Sequence, residues 1–244
     1  MNNNILYIDI HAHILPGIDD GARDMTEALA MAEAAYREGI RAIIATPHYG
    51  AANPDFDRQK AEAAYRELYS EIKKQWPDML VVLGNEVFYG TSCLEALQKG
   101  RAMTMAGTDY VLVEFYPDVS FRELENAMRN LLNVGYKPVL AHIERYMCLE
   151  KELDLVEELI EMGVYMQVNG RSFLRKRFDR RASWCRTLLK SGMIHFVATD
   201  CHNNDGRSPV MAQVVEKMLS ITDEETVRDI VFRNGLKLLK NQLI

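Results

Sequence analysis

Seven short apolar segments alternate with helical patterns along this chain, and this alternation constrains the fold more than any other feature. The segments are rich in Ile, Val and Leu and cover residues 5–10, 41–46, 79–83, 110–113, 137–141, 164–168 and 194–199. Helices are predicted for residues 24–38, 57–75, 92–98, 121–134, 151–162, 182–190, 222–232 and from 209 onward, with a possible edge strand at 102–105. Strands that alternate with helices form parallel sheets, so we expect an α/β fold whose sheet is closed or nearly closed.

The predicted starts of several helices depend on capping residues. Asp24 with Glu27, and Thr222 with Glu225, have the spacing of capping boxes. Proline is favourable at the first helical position, so the helix that follows residue 208 is predicted to begin at Pro209.

Length and composition indicate one compact unit. The chain has 244 residues, of which 48% are hydrophobic, and this is enough for a single domain spanning residues 1–244. The net charge of −6 argues against general nucleic-acid binding, because such proteins usually carry a basic face. The four cysteines are scattered, and neither a secretory signal nor a membrane-spanning apolar run is apparent. These features predict a reduced, cytoplasmic protein without membrane insertion, and none of them fixes the oligomeric state.

Side chains that bind metals follow the predicted strands at one recurring position, after the carboxyl end. In chain order they are His11, His13, His48, Glu86, Glu114, His142, Asp200 and His202, while Asp20 lies on the loop after the first strand. The carboxyl ends of all strands in a parallel barrel lie on one face, where active sites form. A single polar residue at a strand end is usually structural, but a set this regular predicts a metal site. His195 is the one histidine at the opposite end of a strand.

The number and chemistry of these residues predict more than one ion. Mixed imidazole and carboxylate ligands suit manganese, iron or zinc better than calcium. Because the candidate ligands are too many for one ion, we hypothesise three divalent ions, whose charge of about +6 exceeds the −4 of the four carboxylates. Clustered ions clamp phosphoryl oxygens and turn bound water into hydroxide near neutral pH. The pattern therefore predicts hydrolysis of a phosphate ester.

Two arginines lie on loops of the same predicted face. Arg145 follows His142 by three residues, and Arg207 lies in the loop after Asp200. A guanidinium group binds phosphate through paired hydrogen bonds, so both are candidate catalytic residues. Residues 171–181 form a predicted basic loop, which is either a solvated face or a docking site for an acidic phosphorylated tail. Its cations are Arg171, Arg175, Lys176, Arg177, Arg180 and Arg181.

A competing pattern involves Cys201, which has Cys-x5-Arg spacing to Arg207, as in phosphatases with a cysteine nucleophile. Such a cysteine needs a lowered pKa, whereas the adjacent Asp200 carboxylate disfavours a thiolate. Alternation along an extended backbone that directs Asp200 and His202 to the metals also turns Cys201 away from them. The sequence therefore favours a structural role for Cys201.

These motifs together resemble the polymerase and histidinol phosphatase (PHP) superfamily, and within it the bacterial manganese-dependent protein-tyrosine phosphatases of capsule and exopolysaccharide loci. The resemblance runs nearly from end to end and rests on the blocks Asp9-Ile-His-Ala-His13, Leu15-Pro-Gly-Ile-Asp-Asp-Gly21, Ala45-Thr-Pro-His48, Gly84-Asn-Glu86, Val113-Glu-Phe115, Ala141-His-Ile-Glu-Arg-Tyr146 and Thr199-Asp-Cys-His202. It implies a distorted seven-stranded (β/α)7 barrel, the PHP fold.

The resemblance also implies a site of three divalent ions, with manganese as the expected metal and iron, zinc or magnesium as alternatives. One ion would be held by His11, His13, Glu86 and Asp200, a second by Glu86, Glu114 and His142, and the third by Asp20, His48 and His202. A metal-bound hydroxide would attack phosphorus, while Arg145 and Arg207 would bind the phosphate. The implied substrate is the phosphotyrosine tail of a bacterial tyrosine kinase that controls capsule or exopolysaccharide synthesis.

Two other functions stay open at this point. The same metals would serve a PHP phosphatase that acts on a small phosphomonoester such as histidinol phosphate, whose pocket should be closed rather than open and shallow. The second function is that of a non-catalytic metal-binding protein, which regulates polysaccharide assembly by binding the kinase. The full ligand set and both arginines weigh against it.

Overall fold

The computed structural model describes residues 6–176 and 178–244. Within these residues the chain forms nine strands and ten α-helices. The strands are β1 (Tyr7–Ala12), β2 (Ile40–Ala45), β3 (His48–Tyr49), β4 (Leu80–Leu83), β5 (Glu86–Phe88), β6 (Tyr110–Glu114), β7 (Lys137–Leu140), β8 (Tyr165–Asn169) and β9 (Phe196–Ala198). The helices are α1 (Met25–Arg37), α2 (Arg58–Gln75), α3 (Cys93–Gln98), α4 (Phe121–Asn133), α5 (Leu153–Glu161), α6 (Arg171–Leu174), α7 (Arg180–Lys190), α8 (Ala212–Leu219), α9 (Glu224–Arg228) and α10 (Asn234–Leu239).

All pairs of neighbouring strands are parallel. β1, β2 and β4 form a three-stranded sheet, and β3, β5, β6, β7, β8 and β9 form a six-stranded sheet in that order. β3 follows β2, and β5 follows β4, after a short break in the chain. Backbone hydrogen bonds of 2.9 Å run from His13 N–H to the Cys201 carbonyl and from Asp200 N–H to the His11 carbonyl. These bonds join the end of β1 to the segment after β9.

The expected α/β fold with parallel strands is confirmed, whereas the count of seven strands is not. The described residues hold nine strand segments, because the second and third predicted strands are each followed by a separate short strand. β1 continues to Ala12 rather than ending at residue 10, and residue 5 of its predicted range lies outside the described residues. The predicted edge strand at 102–105 is wrong. A 3-10 turn occupies Met105–Gly107 instead, and Ala106 there has a φ of 53° that no strand residue adopts.

The helix caps agree with prediction in one case and differ in another. Asp24 caps α1 as predicted, since its carboxylate accepts a hydrogen bond from Glu27 N–H at 2.9 Å. α9 is capped by Asp223 instead of Thr222, because the Asp223 carboxylate accepts from Thr226 N–H at 2.9 Å. Aspartate is at least as good a cap as threonine, so the stronger of two adjacent candidates is used.

Two further differences come from tertiary contacts. α8 begins at Ala212 and not at Pro209, because the N–H groups of Met211 and Ala212 donate to the distant carboxylate of Glu38 at 2.9 and 2.8 Å. The predicted basic loop contains the short helix α6, which the buried ring of Phe173 anchors to the core.

The buried apolar side chains form two groups on the two faces of the strands. The smaller group, which we call the inner group, contains residues from several strands, among them Ile8, Ile44, Leu112 and Phe196. It also contains Leu238 of α10. The larger group packs the outer faces of the strands against the helices. The inner group therefore supports the polar residues at the strand ends from below. None of the described helices combines the length and apolar character that a membrane crossing requires.

His195 lies directly before β9, away from the other histidines. Its Nδ1 accepts a hydrogen bond from Met166 N–H at 3.0 Å, and its ring packs edge-on against Tyr165. Burial lowers the pKa of His195 to about 4. His195 is thus a neutral imidazole that accepts a backbone hydrogen bond from β8.

We expect acid to destabilise the protein through His195. The unfolded chain takes up this proton near pH 6.5 but the folded chain only near pH 4, so the stabilisation is complete above pH 6.5 and is lost as the pH falls. The loss reaches about 2 kcal/mol at pH 5. His195→Asn, whose side-chain oxygen can accept the same hydrogen bond without titrating, should remove this part of the pH dependence. Urea unfolding of both proteins at pH 7.5 and pH 5 measures it, and an equal pH dependence would contradict the assignment.

Candidate metal centre

The nine predicted metal ligands converge at the carboxyl ends of the strands. His11 lies in β1, β3 begins at His48, β5 begins at Glu86 and β6 ends at Glu114. The loops after β1, β7 and β9 carry the others, which are His13, Asp20, His142, Asp200 and His202. Asp20 is the most exposed of the nine, with 63% of its side chain accessible. The predicted residues therefore lie close together, although two of them begin short strands that the sequence did not predict. Their role as metal ligands stays a prediction.

A break in register near the end of β1 turns two histidines toward the centre. Ile8 and Ile10 belong to the inner apolar group, so strict alternation would direct His11 away from it. The pairing of β1 with β2 shifts between residues 9 and 12, as it does at a β-bulge. His11 and His13 consequently lie above the inner group, with their Nε2 atoms 3.2 Å apart.

The loop after β1 returns closely over His13 and brings Asp20 to the site. A Cβ atom on Gly21 would lie 2.0 Å from the carbonyl oxygen of His13, so only glycine permits this approach. The Gly21 N–H donates to Asp19 Oδ1 at 3.0 Å, and the Ala22 N–H donates to the His13 carbonyl at 3.1 Å. Gly21 is thus a geometric requirement of this loop, and the Asp19 carboxylate stabilises the turn.

The backbone is strained at two of the strand ends. His142 has a φ of 35° and Asp200 a φ of 51°. Residues other than glycine rarely adopt this left-handed region of backbone conformation. Gln167 holds the first of these turns, because its Oε1 accepts a hydrogen bond from His142 N–H at 2.8 Å. Backbone strain of this kind concentrates at functional sites.

Glu86 lies in the middle of the cluster and contacts four imidazoles. Its Oε2 is 3.2 Å from His11 Nε2, 3.3 Å from His13 Nε2 and 3.1 Å from His48 Nδ1. Its Oε1 is 2.8 Å from His142 Nε2. This position between several imidazoles is the one that a bridging carboxylate requires.

Two other carboxylates contact the histidines on either side of Glu86. Glu114 Oε1 is 3.0 Å from His48 Nδ1, and Glu114 Oε2 is 3.6 Å from His142 Nε2. Asp20 Oδ1 is 3.4 Å from His48 Nε2 and 3.3 Å from His202 Nε2. His48 therefore lies between two carboxylates and faces each with a different ring nitrogen.

Three groups of ligand atoms lie close enough together to share an ion. They are His13, Asp20, His48 and His202; His11, His13 and Asp200; and His48, Glu86 and Glu114. The predicted grouping differs in four memberships. His13 joins the group with Asp20, and His48 joins the group with Glu114, whereas Glu86 is absent from the group with His11 and His142 is in none of the three.

The geometry and the donor chemistry of the cluster fit divalent ions. Two ligand atoms that are each about 2.1 Å from one ion lie roughly 3.0–3.4 Å apart, close to the 3.0–3.6 Å separations found here. Buried polar atoms nearly always have a hydrogen-bond partner. Four in this cluster have none among the described residues, namely His48 Nδ1, Glu114 Oε1, His142 Nδ1 and His202 Nε2.

The carboxylates also make the cluster favourable for cations. Burial alone would lower the pKa of His48, but the nearby carboxylates of Asp20, Glu114 and Glu86 raise it to about 12. Burial opposes the charge of His13 in the same way, and Asp19 with a second carboxylate raises its pKa to about 9. The pKa of His142 also rises to about 9, against burial and a nearby guanidinium. Protons and metal ions therefore compete for these nitrogens.

Asp19 is a candidate positioning residue that the sequence did not identify. Its buried carboxylate lies 2.7 Å from His13 Nδ1 and accepts a hydrogen bond from His48 N–H at 3.0 Å. A carboxylate behind a ligating histidine fixes the orientation of the ring and raises its basicity. The pair Asp19-Asp20 was the available signal, but the sequence does not say which carboxylate faces inward.

β8 carries no predicted ligand, yet it orients three of them. Gln167 Oε1 is 3.2 Å from His11 Nδ1, in addition to its bond with His142. Gln167 Nε2 donates to Asn169 Oδ1 at 2.9 Å, and Asn169 Nδ2 donates to Asp200 Oδ2 at 2.6 Å. The Gln-x-Asn spacing at the end of an apolar strand, with period two, was the signal for this chain of amides.

Both predicted arginines line a cavity of about 380 Å³ beside the cluster. Arg145 Nη2 is 2.5 Å from Asp200 Oδ2, and Arg207 Nη2 is 2.7 Å from Asp200 Oδ1. Glu86, Glu114, His142, His48 and Asp200 line the same cavity. Ligand-type side chains and two guanidinium groups thus face one space.

Cys201 does not face this cavity. It is buried, and burial together with the Asp9 charge raises the pKa of its thiol well above the ordinary value. A thiolate nucleophile requires the opposite shift. The structural role favoured from the sequence agrees with this environment.

Several cations of the basic stretch at 171–181 already have partners. Arg171 donates to Ser208 Oγ at 2.5 Å, Arg175 pairs with Asp179 at 2.9 Å and Arg180 pairs with Glu150 at 3.0 Å. Arg177 lies outside the described residues. A role in docking an acidic tail stays a prediction.

Fold and site together define an α/β protein with a candidate metal site, rich in histidine and carboxylate, at the carboxyl ends of parallel strands. Residues 7–240 match the family described as capsular polysaccharide synthesis, CpsB/CapC, and the chain belongs to this family. It is 33% identical to the tyrosine-protein phosphatase CpsB of Streptococcus agalactiae, over 97% of this chain and 100% of that protein. It is 32% identical to the tyrosine-protein phosphatase YwqE of Bacillus subtilis, over 97% of this chain and 93% of that protein.

A solved structure is also similar over the whole chain. It is one of the crystal structures of YwqE from Bacillus subtilis and CpsB from Streptococcus pneumoniae, described as metal-dependent tyrosine phosphatases. The TM-score is 0.86 at 33% identity, over 97% of this chain and 96% of that chain. The fold of this protein is therefore that of its family.

We expect Asp19→Asn to weaken metal binding while the protein stays folded. The amide lacks the negative charge that orients the His13 ring, and loss of such a partner typically reduces metal affinity about 10- to 100-fold. Titration calorimetry with manganese on chelator-treated protein measures the change. Asp24→Asn is the matched control, because asparagine caps α1 as well as aspartate does. Unchanged affinity in Asp19→Asn would rule out this positioning role.

Proposed function

We propose that this protein is a metal-dependent protein-tyrosine phosphatase. It hydrolyses phosphotyrosine on a bacterial tyrosine kinase that controls capsule or exopolysaccharide synthesis. The observation that carries the proposal is the cavity in which the candidate ligands and two arginines face one space. Full-length similarity to proteins named tyrosine-protein phosphatases supports the reaction. We infer a kinase partner because a tyrosine phosphatase in a capsule-synthesis family needs an enzyme that phosphorylates its substrate.

We infer that the site holds three divalent ions, with manganese as the expected metal and iron, zinc or magnesium as alternatives. Mixed imidazole and carboxylate donors support manganese, iron and zinc. The residues that would hold the ions are His11, His13, Asp20, His48, Glu86, Glu114, His142, Asp200 and His202. When bound, such ions polarise phosphoryl oxygens and lower the pKa of coordinated water.

Arg145 and Arg207 bind and orient the phosphate group in this proposal. Their side chains are 32% and 40% accessible, so their donors can reach a ligand in the cavity. Guanidinium groups donate paired hydrogen bonds to phosphoryl oxygens. The same bonds stabilise the charge that develops on these oxygens as the P–O bond to tyrosine breaks.

An aromatic wall of the cavity supports an aryl substrate. Phe88 and Tyr116 line the cavity, and their rings meet edge-on with centroids 4.5 Å apart. The phenyl ring of phosphotyrosine can pack against them. Phe88 also lines two neighbouring grooves, which favours a peptide over a small phosphomonoester such as histidinol phosphate. Both arginines in the cavity argue against a non-catalytic regulator.

We further infer that residues 1–244 form one domain, in which the strands fill seven positions of a distorted (β/α)7 barrel. β3 would share a position with β2, and β5 with β4, since each continues its predecessor after a short break. A cytoplasmic location is supported by the four free cysteines, which a reducing compartment keeps as thiols.

Chelator treatment should abolish hydrolysis of a phosphotyrosine peptide, and added manganese should restore it. The restored enzyme should hydrolyse the peptide with a kcat/KM at least about tenfold above that for histidinol phosphate, because the phenyl ring and the flanking residues of the peptide offer more apolar surface to the aromatic wall than an imidazole ring does. Steady-state kinetics on both substrates test this. Activity that survives thorough metal removal would contradict the metal dependence, and a preference for histidinol phosphate would favour that second function.

His142→Ala should reduce kcat by about 100-fold or more even at saturating manganese, because it removes a candidate ligand beside Glu86. His195→Ala is the matched control, since the same change at the opposite end of the strands should leave kcat within about twofold. Comparable kcat losses in the two variants would refute the assignment of the site to the strand ends.

A further inference from the structure

A groove next to the catalytic cavity has no specific ligand assigned in the reaction proposed above. It has a volume of about 780 Å³ and lies between the segment after β5 and the first turns of α4. The groove and the cavity share three aromatic side chains, Phe88, Phe115 and Tyr116. We call these three residues the aromatic ridge, since the cavity lies on one side of them and the groove on the other.

The ridge exposes apolar surface that a ligand can contact. Tyr116 is 62% exposed although it is a large aromatic residue, and its ring is braced by Phe88. Phe115 is buried and packs against Tyr89, which lines the floor of the groove. The ridge therefore presents the accessible ring of Tyr116 between the cavity and the groove.

Most of the other groove residues are apolar or uncharged polar, and the two charged ones are acidic. Leu94 and Val119 contribute aliphatic surface, and Asn126 contributes an exposed amide. Asp118 and Glu123 carry the charges, and no lysine or arginine lines the groove among the described residues. The catalytic cavity differs, since it holds two arginines. The aromatic and aliphatic lining fits an uncharged side chain, and the two carboxylates disfavour an acidic one. A basic side chain gains little from Glu123, whose carboxylate is already hydrogen-bonded to Ser120 at the start of α4.

We propose that this groove binds an uncharged aromatic or aliphatic side chain one or two positions from the phosphotyrosine in the substrate chain. The assignment rests on the proposed phosphatase function and adds a specificity-determining site to it. Adjacent Cα atoms are about 3.8 Å apart, and alternate side chains of an extended peptide are roughly 7 Å apart. A phosphotyrosine in the cavity therefore brings its near neighbours across the aromatic ridge.

Two phosphotyrosine peptides test the groove on the wild-type, manganese-loaded enzyme. They are identical except that the two residues on each side of the phosphotyrosine are phenylalanine in one and glycine in the other. Partial burial of one phenylalanine ring predicts a kcat/KM about tenfold higher for the phenylalanine peptide. p-Nitrophenyl phosphate, which has no flanking residues, reports the reaction itself.

A pair of variants on α4 separates the groove from the rest of the surface. Asn126→Trp fills the groove from an exposed position, and Asn133→Trp makes the same change at an exposed position of α4 outside it. We expect Asn126→Trp to bring the ratio of the two kcat/KM values close to one. Asn133→Trp should keep the wild-type ratio, and both should hydrolyse p-nitrophenyl phosphate at the wild-type rate.

The outcomes distinguish the groove from the phosphatase function. Equal kcat/KM values for the two peptides with wild-type enzyme would overturn the groove assignment and leave the phosphatase function intact. An Asn126→Trp variant that keeps the wild-type ratio would also overturn it. If Asn126→Trp loses activity on p-nitrophenyl phosphate, the wild-type comparison of the two peptides decides. Failure of wild-type enzyme on both peptides would overturn the phosphatase function itself.

Discussion

The buried carboxylate of Glu86 is the constraint on which the rest of the site depends. An isolated charge in the interior is strongly unfavourable, and it is tolerated only with close partners of opposite charge or with hydrogen-bond donors. Four imidazoles from three parts of the chain supply such partners at 2.8 to 3.3 Å. The irregular features of the strand ends serve this requirement. The register break in β1, the close return at Gly21 and the left-handed turn at His142 each bring a nitrogen or its support toward the centre.

The sequence predicted that the candidate ligands lie together, because their placement depends on a simple periodicity. Apolar segments followed by His48, Glu86 or Glu114 define strand ends, and parallel strands place those ends on one face. The features that the sequence could not predict depend on contacts between residues that are distant along the chain. The start of α8 is set by Glu38, 173 positions before the N–H group of Met211 that it accepts from. The strands β3 and β5 exist because each finds a partner in the second sheet, and no local pattern encodes that pairing.

Asp19 and β8 illustrate a second reason for what was missed. Ligand-type residues are recognisable by their chemistry, whereas the residues that orient them are ordinary amides and carboxylates. Gln167 and Asn169 differ from any polar pair on a strand only in what they touch, namely His11, His142 and Asp200. The choice between Asp19 and Asp20 is made by the path of the loop, which Gly21 fixes. Such roles become visible only once the chain is folded.

The junction between β1 and the segment after β9 has a consequence for how the protein is made. Asp9 accepts a hydrogen bond from Thr199, 190 positions later, and His11 and His13 face Asp200 across the same junction. At ribosomal rates of about 5–20 residues per second, the first imidazoles emerge roughly 10–40 seconds before these partners exist. A nascent chain therefore cannot assemble the ligand group around His11. Completion of the candidate metal site belongs to the finished polypeptide, because two of its three groups of ligand atoms include Asp200 or His202. Only the group of His48, Glu86 and Glu114 lies wholly in the first half of the chain.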